Sequence, residues 1–159
     1  MKKYIFISLL MFLTNSFGQL PSDTLRVSYY KAIIGEFGGI NRGIILIKTK
    51  NKYKAQYIGY KESTYLIPND SLIYYYKKNK NNYTLIKEID SLSKNQINTL
   101  NSGIIYIKQF KKEKNLYSNA PEHYYVKTES FERLIIDTGK TLKFYNIVEN
   151  IFGIEEKLK

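Results

Sequence analysis

His123, the single histidine of the 159-residue sequence, directly follows Glu122. An imidazole beside a carboxylate is a pair able to move a proton. Adjacent residues of a strand point to opposite faces, however, so this spacing keeps the two side chains apart. With one histidine and no cysteine, His-rich and thiolate metal sites, two-histidine mechanisms and disulfides are excluded, and neither a metal nor a cofactor is expected. The glycines of "GEFGGINRG", residues 35–43, suggest a loop that cradles phosphate. Such a loop must open a helix whose free N–H groups face the anion, whereas here the β-branched run "IILIK" follows. The glycines are therefore expected to supply positive φ or a bulge where the chain enters a central strand.

Tyrosine is the chain's peculiarity: 16 in all, with consecutive rings at 29–30, 74–76 and 124–125. On strands such runs place some rings in the core and others outside, where amphipathic rings bind sugars, peptides or proteins. Lysines 108, 111, 112 and 114 crowd the end of a predicted helix, where the helix dipole alone welcomes cations. The candidate binding face is accordingly Tyr74, Tyr76, Lys108, Lys111, Lys112 and Tyr124, and no catalytic residue is assigned. "LIIDTG", residues 134–139, resembles the signature of aspartic proteases, which need two aspartates sharing a proton. One copy would serve only in a homodimer, and Asp137-Thr138-Gly139 reads better as a strand-ending turn. No Gly-x-Ser-x-Gly elbow occurs, which leaves a hydrolase as the third reading.

The elements that must position these residues follow from periodicity. "RGIILIKTKNKYKAQYIGY" predicts a hairpin, with Tyr53, Ala55 and Tyr57 alternating against Lys54 and Gln56. Residues 72–76 and 83–89 read as two short strands joined by "KKNKNN", after a turn at Pro68, Asn69 and Asp70. The period then changes: Ile97, Leu100, Ile104, Ile107 and Phe110 share one helical face, with Ser93 and Gln96 as a capping box and Leu92 against Ile97 as a hydrophobic staple. Gly103 costs that helix about 1 kcal/mol against alanine, so a break near Asn101 is the competing expectation. "EHYYVKTESFERLIID" predicts two strands around a "KTES" turn, and Leu142, Tyr145, Val148 and Phe152 predict a second helix closed by Gly153.

Lys2 and Lys3 precede an apolar run of about ten residues and a polar stretch with small Ser16 and Gly18, the layout of a signal peptide cleaved after Gly18. Residues 1–18 are expected to be removed and 19–159 to form one domain, in the periplasm or secreted, with no permanent membrane span. Removal of the two lysines lowers the net charge from +11 to +9. The 22 lysines, 14 asparagines and 22 isoleucines match an A/T-rich coding bias, and the three scattered arginines give no nucleic-acid-reading cluster. The partner expected is a protein or an anionic polymer in the envelope or outside the cell, not nucleic acid.

"FGGINRG", the hairpin, the "LSKNQINTL" helix, the "NAPEHYYVKTE" strand and the final helix together resemble small exported bacterial proteins. More distantly they are similar to emfourin-type inhibitors of thermolysin-like metalloproteases, from which the segment between Lys61 and Ile89 departs. The resemblance implies a single-domain protease inhibitor, the alternative function. The sequence as a whole predicts an α+β domain: an antiparallel sheet of four or more strands with two helices packed on one face, acting as a non-enzymatic binding module.

Overall fold

A computed structural model of the chain describes residues 24–32, 39–50, 52–61, 67–68, 71–109, 122–137 and 144–154. Six strands form one antiparallel sheet: β1 (Thr24–Ala32), β2 (Gly39–Thr49), β3 (Lys52–Tyr60), β4 (Tyr83–Ile89), β5 (Glu122–Lys127) and β6 (Glu132–Asp137). Their spatial order is β4-β3-β2-β1-β5-β6, so the apolar "IILIK" run does lie inside the sheet. Among the described residues three helices complete the α+β fold: α1 (Leu72–Lys78), α2 (Lys94–Gln109) and α3 (Phe144–Phe152). The predicted hairpins at β2–β3 and β5–β6 are present, the second closed by a Thr128 N–H bond to the Phe131 carbonyl. The proposed signal segment lies outside the described residues.

Alternation along the strands builds two cores. Leu25, Val27, Tyr29, Ile44, Leu46, Tyr57, Tyr124 and Val126 face one way and pack with Leu100, Ile104 and Ile107 of α2 and Phe144, Val148 and Ile151 of α3. The capping box is real: Gln96 N–H donates to Ser93 Oγ at 3.3 Å, and Ser93 N–H donates to Gln96 Oε1 at 2.9 Å. Helix α2 runs unbroken through Gly103, and the reason is close packing. A Cβ at that position would stand 2.5 Å from the Phe144 ring, so glycine lets α3 approach and its propensity cost is offset. Gly153 closes α3 at φ 64°, with Ile154 N–H reaching back to the Glu149 carbonyl in a Schellman arrangement. Leu100 is fully buried between α2 and the sheet, so Leu100→Ala is expected to cost roughly 2–5 kcal/mol. Urea unfolding measures it, and a loss below about half a kcal/mol would contradict this packing.

Two local expectations are corrected. Residues 72–78 are helical, because Leu72, Tyr75 and Tyr76 at i, i+3 and i+4 present one buried face while Tyr74 points out to solvent. The strand preference of consecutive tyrosines yields to that burial. Nor do Gly39 and Gly43 supply positive φ: Gly39 is required because a Cβ would overlap the Tyr30 ring, and one at Gly43 would press on the Val27 carbonyl. β1, absent from the periodic pattern, pairs along its full length with β2 and lies near the centre of the sheet.

Candidate functional site

The second face of the sheet is covered by α1, and it carries the polar chemistry of the molecule. Ile45, Ile58, Tyr60 and Tyr125 pack there against Tyr75 and Tyr76. The Tyr76 ring lies parallel to that of Tyr125 (5.1 Å between centroids, 3° between planes) and edge-on to Tyr60 and Tyr75. Its hydroxyl donates to Asn41 Oδ1 at 3.2 Å and lies 2.9 Å from His123 Nε2. One hydroxyl proton cannot serve both contacts, so the neutral imidazole must carry its proton on Nε2 and donate to Tyr76. Asn41 passes the chain on, its amide nitrogen donating to the Tyr75 hydroxyl at 3.3 Å. Tyr30 stacks on His123 from β1, with 5.2 Å between ring centroids. His123 is only 3% exposed, and burial pushes its pKa down to about 4. It is therefore neutral over the physiological range.

Glu122, its sequence neighbour, lies on the opposite face, where it accepts a hydrogen bond from the Tyr124 hydroxyl at 3.3 Å. The strand spacing thus separates carboxylate and imidazole as the sequence implied. Asp137 ends β6 at an edge of the sheet, while Thr138 and Gly139 lie outside the described residues.

Beside the tyrosine cluster opens a pocket of about 340 Å³. Its walls come from β1 (Thr24, Arg26), α1 and the following turn (Tyr76, Lys77, Lys80), β5 (Tyr125, Lys127) and the β5–β6 turn (Thr128, Glu129). Arg26 is anchored: its guanidinium lies 5.7 Å from the Tyr83 ring centre and donates to the Tyr60 hydroxyl at 3.4 Å, while that hydroxyl meets Ser28 at 2.6 Å. Glu132 braces the rim, accepting from the Tyr125 hydroxyl at 2.6 Å and pairing with Lys77 at 3.2 Å. The Tyr125 hydrogen bond, reinforced by Lys77, holds the Glu132 carboxyl below its ordinary range. Burial, together with the same carboxylate, raises the Tyr125 phenol so that it stays protonated.

The residues singled out in the sequence are distributed differently. Tyr74 is exposed on α1, Tyr76 is buried beneath it, and Tyr124 is buried on the other face of the sheet. Lys108 belongs to α2, its side chain outside the described residues together with Lys111 and Lys112. Of the three tyrosines, Tyr76 is the one that lines the pocket. The pocket cations Arg26, Lys77, Lys80 and Lys127 come from three segments far apart in sequence, and the pairing of β1 with β5 brings Arg26 directly opposite Lys127. Among the described residues no group of three or more metal-binding side chains gathers, and no helix is long and apolar enough to cross a membrane. The chain matches no protein-family model, no curated protein and no solved structure.

Proposed function

We propose that the chain is an exported, non-enzymatic binding domain whose partner is an anionic polymer held in the pocket beneath α1. The observation that carries this reading is the convergence of Arg26, Lys77, Lys80 and Lys127 on one 340 Å³ concavity floored by Tyr76 and Tyr125. Cations gathered in a concave site focus a positive field and raise the local concentration of an anionic ligand. The non-enzymatic reading is supported by His123, whose imidazole is buried and hydrogen-bonded to Tyr76. Export rests on the signal-like layout of residues 1–18.

The test is retention of the purified protein on immobilised dextran sulfate and on uncharged dextran. Binding to the sulfated matrix alone is expected, with release as salt screens the charges and weaker retention after combined replacement of Lys77, Lys80 and Lys127 by glutamine. Equal retention on both matrices, or none on either, contradicts the reading. The same preparation, added to a thermolysin-like protease, tests the inhibitor alternative. Near-stoichiometric slowing with the chain left uncleaved would move the function to that class.

A further inference from the structure

We propose that the group held in this pocket is a phosphate monoester, an inference that rests on the anion-binding reading above and names its chemistry. Three features of the pocket favour a tetrahedral dianion over a carboxylate. The first is the charge balance: among the described residues, the four cations of the pocket face Glu129 and the Lys77 partner Glu132, leaving a surplus of two positive charges. A phosphate monoester carries close to two negative charges near neutral pH, and a carboxylate carries one.

The second is the kind of cation. A guanidinium fork reads planar carboxylates bidentately, but only one of the four cations, Arg26, carries one, and its Nη1 already donates to the Tyr60 hydroxyl beside the Tyr83 ring. The other three cations are ammonium groups, Lys77 among them paired with Glu132, and ammonium groups act as point charges that suit oxygens distributed around a tetrahedral centre. The third is a local conflict in the sheet. Arg26 and Lys127 occupy directly opposed positions on β1 and β5, an arrangement of like charges that costs stability. Glu132, opposite Lys127 on its other side, offsets that charge only in part, because it is shared among Lys127, Lys77 and the Tyr125 hydroxyl. A dianion seated between the cations relieves this repulsion, and a sequence rule broken in this way points to a site.

The experiment is calorimetric titration of the purified protein at pH 7.5 and constant ionic strength with glucose 6-phosphate, inorganic phosphate and glucuronate. Glucose 6-phosphate is expected to bind about tenfold or more tighter than glucuronate, and Lys80→Gln and Lys127→Gln should each weaken it several-fold to about tenfold. Inorganic phosphate separates the sources of the group: parity with the sugar phosphate assigns the site to the free ion, and weaker binding assigns it to an esterified sugar. Glucuronate binding as tightly as the sugar phosphate overturns the phosphate inference and leaves anion binding standing. So does retention on dextran sulfate without binding of either phosphate. Failure of all three ligands and of dextran sulfate overturns both.

Discussion

Tyr76→Ala is expected to destabilise the protein by roughly 3–5 kcal/mol, the range for deleting a fully buried aromatic ring. The ring is fully buried, and it holds Tyr125 in parallel contact and Tyr60 and Tyr75 at its edges. Its hydroxyl links His123 to Asn41, so truncation also removes a partner from two polar side chains that are almost inaccessible to water. An unsatisfied buried group costs about 1–3 kcal/mol. Tyr76→Phe separates the two contributions, because it keeps the ring and removes only the hydroxyl. Its cost should therefore be about 1–3 kcal/mol. Urea unfolding of both variants measures these values, and an alanine variant within about 1 kcal/mol of the parent would contradict the packing of α1 on the sheet.

The second large effect is acid sensitivity. Burial lowers the His123 pKa to about 4 in the folded protein, against about 6.5 for an unfolded histidine. Between those values the unfolded chain binds the extra proton, so stability rises with pH across the window and is lost on acidification. The expected loss is roughly 2 kcal/mol from pH 7 to pH 5, growing to roughly 3 kcal/mol near pH 4. Glu88 and Glu132 are held below the usual carboxylate range, chiefly by hydrogen bonds from Lys54 and Tyr125 respectively. Their contribution has the same sign and falls away only at still lower pH, where they are protonated. His123→Gln retains an amide donor but cannot take up the proton, so it should flatten the pH dependence between 7 and 5. An unchanged slope in that variant would assign the acid sensitivity to other groups.

The fold was legible wherever a period was long and unopposed. Ser93, Gln96 and the Ile97–Ile107 series mark α2 by cap and by face together, and both β-hairpins show alternation with turn residues between their arms. α1 was harder because three consecutive tyrosines satisfy strand propensity, and the burial spacing of Leu72, Tyr75 and Tyr76 covers barely one helical turn. β1 carries Tyr29 and Tyr30 side by side, yet both are buried because each face of the sheet has a helical cover. Two-sided burial removes the alternation that identifies a strand. The pocket was hidden for a different reason. Arg26, Lys77, Lys80 and Lys127 are single cations in a lysine-rich chain, and only the pairing of β1 with β5 and the placement of α1 collect them. What the sequence did reveal was the separation of Glu122 from His123, since strand alternation depends on local geometry alone.

The most direct test of anion binding at the α1 face is amide chemical-shift mapping by NMR, with a short sulfated dextran added to the isotope-labelled protein. Shifts should concentrate on Thr24, Arg26, Lys77, Lys80, Lys127 and Thr128, saturate with one affinity and disappear when Lys77, Lys80 and Lys127 are replaced together. Weak shifts spread over lysines on every surface, or a focus on exposed Tyr106 or Leu85 away from the pocket, would contradict it.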